Sequence, residues 1–381
     1  MHHKRHLGAA FLAIGLLCGG TWAPAGLGYA ASASSSVNAA ASASPSLTAI
    51  VNKPAAAKNS VTLQYEGKTS SLRGMLVEGR SWIPVAFLRD DLKLPINYNP
   101  VSKTYTVGEG YRQLNIVQYE GGITSYVNSY YIGEPAANNI NGRIYIPFQW
   151  VKNYLGYQGK WDASAKLLKI EKTQENKVTI VTSGYDKDSE QASIHLKYPQ
   201  LKGNENKEAE TAINNRIKED VNVFRENMEK QLKEGESQEV ESNPYAFESS
   251  YIVTYNQNGV LSLLTEQYEN LGGAHGMVMR KGYTFSLKDG KLLSLDDLFG
   301  ANKNYSKQLN SKLSAKLDHF PGYFGGFKEL SDQPDFYLEP DNLKVFFQLY
   351  EYTPYAAGFP EFSIAFNELI PKGSSPFDRF K

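Results

Sequence analysis

A single cysteine, Cys18, stands in 381 residues, and it lies close to the amino terminus. A disulfide framework is therefore excluded, and stability has to come from buried cores even in an oxidising compartment. Histidine is almost as scarce. Beyond His2, His3 and His6 the chain holds only His195, His275 and His319, none within metal-ligand spacing of another or of a cysteine. Apolar runs are short, and none approaches the ~20 residues a membrane-spanning helix needs. Charge of either sign is not in excess, with 40 Lys and Arg against 40 Asp and Glu, and nothing in that balance points to a nucleic-acid binder, which would show a basic stripe.

What is present begins with a leader. Lys4 and Arg5, an apolar run from Leu7 to Cys18 and the small residues around Gly28-Tyr29-Ala30 predict a secretory signal peptide over 1–30. Leu16-Leu17 places bulk where a lipid-attachment signal has a small residue, which argues against lipid anchoring at Cys18. Removal of the leader takes away two basic and no acidic residues, so the mature chain carries 38 minus 40, or −2. Residues 31–58 are Ala, Ser, Asn, Pro and Lys almost throughout and read as a tether with too little bulk for a core. The expectation is a secreted protein, extracellular or associated with the cell wall. The 41% hydrophobic content marks the remainder as globular, and the 25 tyrosines fit strands and polar-tipped contact surfaces.

Residues 60–172 contain an internal repeat. Gly79-Arg-Ser-Trp-Ile-Pro84 matches Gly142-Arg-Ile-Tyr-Ile-Pro147, and Tyr98-Asn-Pro-Val-Ser-Lys103 matches Trp161-Asp-Ala-Ser-Ala-Lys166, both at an offset of 63. Each copy predicts a strand ending at Ile-Pro, a helix whose first turn accepts the proline, then a turn and a strand. The helices are expected at Val85 to Leu92 and Phe148 to Leu155. This repeat resembles the copper amine oxidase N-terminal-like domain of secreted Gram-positive proteins. The resemblance does not imply an oxidase, because 60–172 contains no histidine for copper and Asn97-Tyr98-Asn99 lacks the acid of a quinone-forming site. A structural or wall-contacting spacer is the reading that remains.

From 177 onward, strands are predicted at Lys177 to Gly184 and Gln191 to Tyr198. A long helix follows from Glu205 to Glu234, with Ala209, Ile213, Ile217, Val221, Phe224, Met228 and Leu232 spaced by three or four. Phe247 to Tyr255 and Val260 to Tyr268 flank Asn256-Gln-Asn-Gly259 as a hairpin. Tyr283, Phe285 and Leu287 alternate as a strand, Lys288-Asp-Gly-Lys291 turns, and Ser294 with Asp297 caps a helix from Leu295. A helix at Asn304 to Leu317 and strands at Leu343 to Leu349 and Phe362 to Phe366 complete the series. Helices lying between runs of hairpin-like strands predict an α+β fold with an antiparallel sheet and one long packed helix.

Two blocks in this half carry a further resemblance. Gly272-Gly-Ala-His-Gly276 with Leu293-Ser-Leu-Asp-Asp-Leu-Phe299, and then Phe336-Tyr-Leu338, Val345-Phe-Phe347 and Tyr350-Glu-Tyr-Thr-Pro-Tyr-Ala-Ala-Gly358, resemble the RsiV-like extracellular domain. That is the lysozyme-binding domain of an anti-sigma factor, found also in secreted peptidoglycan deacetylases. The resemblance implies an RsiV-like domain over 177–381, with an N-terminal part at 177–270 and a C-terminal part at 271–370. It also implies a lysozyme-type ligand. The anti-sigma relative's cytoplasmic segment and membrane helix have no counterpart here, and neither does the deacetylases' separate metal-dependent domain.

The expected function is therefore a non-catalytic binding protein of the cell envelope, with no cofactor and no metal. It would recognise a basic, lysozyme-type muramidase or peptidoglycan. The competing readings are a wall-associated structural protein without a protein ligand, or an accessory to peptidoglycan modification. No nucleic acid and no transmembrane segment are expected. Residues 331–370 hold seven acids against one base, Lys344, interleaved with aromatics. The candidate contact residues are Tyr350, Glu351, Tyr352, Pro354, Tyr355 and Phe359, with His275 either fixing a turn or joining the surface. Those acids read either as a solvated face or as an attractive field for a basic partner.

Overall fold

The computed structural model describes residues 59–133, 135–235 and 244–380. The leader and tether expected at 1–30 and 31–58 lie outside the described residues.

The first copy of the repeat forms β1 (Ser60–Tyr65), β2 (Lys68–Val77), β3 (Arg80–Pro84), α1 (Val85–Asp90), β4 (Ile96–Asn99) and β5 (Thr104–Val107). A meander follows as β6 (Leu114–Tyr119), β7 (Gly122–Val127) and β8 (Tyr130–Tyr131). The second copy supplies β9 (Asn138–Ile140), β10 (Arg143–Pro147), α2 (Phe148–Tyr154), β11 (Tyr157–Asp162) and β12 (Leu167–Lys172). Pro84 and Pro147 sit one residue ahead of the expected place, as N-caps with φ of −70° and −60°, where a missing N–H costs nothing. Ile83 lies opposite Ile146, and Trp82 opposite Pro147, in an antiparallel pair. Since 146 minus 83 is the repeat offset, the two copies face each other across a local two-fold. They then diverge: β12 joins β1 in parallel, whereas β5 pairs antiparallel with β6. The result is a seven-stranded sheet, β11-β12-β1-β2-β3-β10-β9, and a five-stranded one, β4 to β8 in order.

The second half of the chain builds a five-stranded sheet from β13 (Thr179–Asp188), β14 (Ala192–Lys202), β15 (Tyr245–Gln257), β16 (Val260–Asn270) and β17 (Met277–Ser286). Between β14 and β15 runs α3 (Lys207–Gly235), and this crossover returns the chain so that β14 and β15 pair in parallel, in a sheet otherwise antiparallel. The helical period read from sequence holds, for Ala209, Ile213, Ile217, Val221, Phe224 and Met228 are all buried. They cover Tyr251, Leu263, Tyr283 and Phe285 at one end of the sheet and Ile194, Leu196 and Phe247 at the other. Each large side chain buried there contributes ~1.5–3 kcal/mol of transfer free energy.

After β17, Gly290 at φ 74° lets the turn press on α3, where an added Cβ would come within 2.9 Å of the Ala209 Cα. Ser294 and Asp297 close a reciprocal capping box on α4 (Leu295–Phe299). Beyond it lie α5 (Tyr305–Leu317), β18 (Phe336–Leu338), β19 (Asn342–Phe346) and β20 (Glu361–Ala365), the three strands forming a small antiparallel sheet. This sheet and α5 share a core of Leu309, Leu313, Leu338, Val345 and Ile364. Its approach to β17 is close enough that a Cβ on Gly282 would meet the Phe336 carbonyl oxygen at 1.9 Å. The fold class is α+β, mostly sheet, with one long helix.

The two halves are not separated by solvent. Trp150 and Val151 of α2 belong to the same buried cluster as Ile252, Leu264, Tyr337 and Phe346. The polar run around 171–177 is likewise tied down, since Asn176 N donates to the Asn256 carbonyl and Gly259 N donates to Asn176 Oδ1.

Candidate functional site

The start of β17 organises the site. Gly276 ends the glycine-rich turn at a place where a Cβ would lie 2.3 Å from the Tyr268 ring and 2.5 Å from the Glu269 carbonyl oxygen, so no larger residue fits. Its carbonyl oxygen accepts a hydrogen bond of 3.0 Å from the Tyr355 hydroxyl and lies 3.0 Å from His275 Nδ1. The His275 ring lies 4.7 Å from that of Tyr355 at 32°, and Tyr350 lies 5.7 Å away on Tyr355 at 40°. Three aromatic faces thus form one platform at the mouth of the strand. Tyr350 is 52% exposed and held at φ 66°, a conformation that costs a bulky residue on the order of 1 kcal/mol or more. Pro354 at φ −64° and Gly358 at φ 68° bracket the single 3-10 turn Tyr355–Ala357 that presents the central ring. Burial raises the Tyr355 hydroxyl above its ordinary pKa, with Tyr268 and Tyr350 adding to it, so it stays a neutral donor.

Among the other expected contact residues, Tyr352 and Phe359 pack inward, whereas Glu351 stays exposed. Tyr352 packs on Phe347 at 4.9 Å and on Phe327 at 5.8 Å, inside the α5 core. Glu351 accepts from the Gln348 amide at 2.9 Å, and Pro354 packs near Gly322. Phe359 lies under the Arg280 guanidinium at 4.1 Å. Of the seven residues singled out, the structure gathers His275, Tyr350 and Tyr355 at the surface and turns Tyr352 and Phe359 inward.

The acidic run also has a different use from the attractive field considered above. Glu361 pairs with Arg280 at 3.3 Å and Lys344 at 3.1 Å, Glu339 lies 4.0 Å from Lys344, Asp341 pairs with Lys152, and Glu368 with Lys312 at 2.5 Å. Four of the seven carboxylates are therefore neutralised within the chain, and Asp335 accepts from Gln348 Nε2 at 2.7 Å.

At the centre of this network stands Arg280, which the sequence reading passed over. Its Nη2 reaches Glu266 at 2.7 Å, Glu266 in turn accepts from the Tyr130 hydroxyl at 3.1 Å, and the side chain is only 16% exposed. Burial alone would lower the pKa of Arg280, but Tyr130, Glu266 and Glu361 outweigh it and raise it, so the charge is permanent. Asn153 of α2 donates to the buried Glu339 at 2.7 Å. Gln348, also missed, bonds both the N–H and the carbonyl of Arg280 and so closes the free edge of β17 there. A signal for Arg280 existed, as a lone Arg among Met277, Val278 and Met279. Its partners come from strands far apart in sequence.

His195 lies apart from the platform, on β14 next to the opposite edge strand, with Nδ1 3.0 Å from Asp186 and Nε2 3.1 Å from Ser193 Oγ. His319 is held at the end of α5 by the Ala315 carbonyl at 2.8 Å. Among the described residues, no group of three or more His, Cys, Asp or Glu is placed to hold a metal ion, and no helix is long and apolar enough to cross a membrane.

Three family models match the chain. Residues 63–170 match the copper amine oxidase N-terminal domain, 185–278 match Deacetylase PdaC, and 296–367 match a protein family of unknown function, DUF3298. Among solved structures, the chain is similar to a DUF3298 family member from Bacteroides fragilis, with 18% identity and a TM-score of 0.39, covering 50% of this chain and 90% of that one. A DUF3298 family protein from Pseudomonas aeruginosa is similar at 17% identity and a TM-score of 0.36, covering 51% and 96%. No curated protein matches. The name of the first domain implies copper, yet 63–170 offers neither histidine nor cysteine, and carboxylates, amides and phenols alone do not make a copper donor set.

Proposed function

We propose that this chain is a non-catalytic binding protein of the cell envelope that recognises its ligand through the Tyr350–Tyr355–His275 platform. The matched domains suggest a cell-envelope-related protein, which supports the general class. The observation that carries the site is the convergence of Tyr355 and His275 on one carbonyl, Gly276, from segments 79 residues apart, with the exposed Tyr350 ring stacked on Tyr355. Rings fixed by mutual stacking lose little conformational freedom on binding, which is how aromatic anchors contribute to recognition. The RsiV-like sequence blocks make a lysozyme-type muramidase the first ligand to test. Peptidoglycan itself is the second reading, favoured by ring faces that lie open without an enclosing cavity.

The test is calorimetric titration of the leaderless chain with a lysozyme and with solubilised peptidoglycan fragments, for wild type and Tyr355→Ala. Micromolar or tighter binding to one ligand that weakens in the variant is the expected result. Binding to neither, or binding indifferent to Tyr355→Ala, overturns the proposal.

A further inference from the structure

The duplicated module presents the same aromatic position twice. Tyr98 and Trp161 stand at equivalent places in the repeat, since 161 minus 98 is 63, and each is the penultimate residue of its strand before the hairpin turn. Both turns are built alike. Asn99 Oδ1 accepts from the amides of Val101 and Ser102, Asp162 Oδ1 accepts from those of Ser164 and Ala165, and Lys103 and Lys166 both take positive φ, at 50° and 47°. Sterics in the core account for the neighbours of these rings but not for the rings. Val107 and Leu168, on the strands they pair with, are buried, whereas Tyr98 is 47% and Trp161 41% exposed. Tyr98 lies on Tyr105 at 4.5 Å, a two-ring surface, while Trp161 borders a shallow depression lined by Lys160, Asp162, Ser164 and Lys169.

An exposed aromatic at one site is ordinary, but the same exposure kept at the same turn in both copies, while the residues around them differ, needs a common cause. Each surface is a flat ring rimmed by polar groups and without walls. That suits the axial C–H face of a pyranose, whose hydroxyls reach the rim, better than an apolar peptide anchor that would need a closed pocket. We propose that Tyr98 and Trp161 are paired stacking sites for a glycan strand, making the module a bivalent polysaccharide-binding element independent of the Tyr355 platform. Two weak sites held on one rigid body gain avidity only for a polymer that can engage both.

The experiment uses the leaderless chain with Tyr98→Ala, Trp161→Ala, the double variant and Trp161→Phe. Probes are purified peptidoglycan, chitin particles and soluble chitotetraose, so that an aminosugar backbone common to both polymers is told apart from features of the wall alone. On whichever polymer binds, each single alanine variant is expected to weaken cosedimentation on the order of 10- to 100-fold and the double variant to abolish it, with Trp161→Phe close to wild type. On the tetrasaccharide, each single alanine variant should retain one site of unchanged affinity. Trp82 and Trp150 are buried, so a ligand-induced change in tryptophan emission should disappear in Trp161→Ala. The proposal is overturned if the double variant, with its melting temperature intact, sediments as wild type, or if one alanine removes all tetrasaccharide binding. Loss of lysozyme rather than glycan binding in the double variant would overturn it too. If glycan binding is lost only in Tyr355→Ala, this proposal fails while the Tyr355 platform stands.

Discussion

Gly276 and Arg280 stand four positions apart in the chain, and the two positions serve opposite ends. Around Gly276, rings stack in the open and their polar groups make few bonds. Around Arg280, a charge is buried and every carboxylate near it is shared between the repeat module, β16 and β20. Charged residues, which in the sequence look like the part that meets a partner, hold the molecule together. Among the aromatic residues nearby, Tyr350, Tyr355 and His275 form the surface while Tyr352 and Phe359 turn inward. The reason is energetic: a buried ion pair is tolerated only when fully partnered, whereas a ring can be half exposed at little cost.

Removing the centre of the buried network should have the largest effect. Arg280→Leu leaves Glu266 and Glu361 in a nearly dry site and should cost about 3–5 kcal/mol of unfolding free energy in urea titrations, with no specific loss at Tyr355 beyond that. A loss under about 1 kcal/mol would mean that the network is not structural.

The next effect falls on the contact between halves. Asn153→Ala takes away the donor to Glu339 and should cost about 1–3 kcal/mol. The same shared core bears on separate expression of 60–172 and 177–381, which the polar run at 171–177 invites: each fragment would expose its share of the cluster joining Trp150 to Ile252. The 60–172 fragment should therefore melt below its transition in the full chain by differential scanning calorimetry, and equal melting would sharpen the case for independent modules.

At the rim the balance reverses. Tyr355→Ala should leave the urea midpoint nearly unchanged, while lowering ligand affinity by about 2 kcal/mol in calorimetry. A variant that unfolds instead would place Tyr355 with Arg280 and break the contrast.

A smaller effect tests a local device outside both sites. Burial raises the Asp297 carboxyl, but hydrogen bonds from Lys291 and Ser294 outweigh it and leave its pKa lowered to about 2. A folded pKa below the ordinary ~3.9 contributes stability that is present above that value and lost as the pH falls towards 2. Ser294→Ala should cost about 1 kcal/mol at neutral pH and flatten the acid limb of the stability curve between pH 4 and 2. The smallest effect concerns salt. Because the acidic run is largely spent on internal pairs, raising salt from about 0.05 to 0.3 M should change ligand affinity less than about threefold, and a steep dependence would restore an attractive acidic field.

Much of the architecture was legible because it follows from neighbours in sequence. The three- and four-residue spacing from Ala209 to Met228 gave a helix face, Ser294 and Asp297 gave a cap, and Asn258-Gly259 gave a hairpin turn. The offset of 63 announced two copies of one unit, although not that Ile83 and Ile146 would pair across a two-fold. At the platform, Tyr355 was legible as a turn residue with a polar tip. Its stacking on His275 was not, since the two are 80 positions apart.

The sequence by itself determined the long helix, the main hairpins, the repeat, the capping and the class of fold, though not the β6 to β8 meander or β18, because the former depend on period, turn chemistry and residues within reach along one strand or helix. Only the tertiary structure decided which charges are free, which aromatics are exposed and where the two halves meet. Pairing Glu361 with Arg280, or Asn153 with Glu339, requires segments brought together from 81 and 186 residues away, and no local rule specifies that placement.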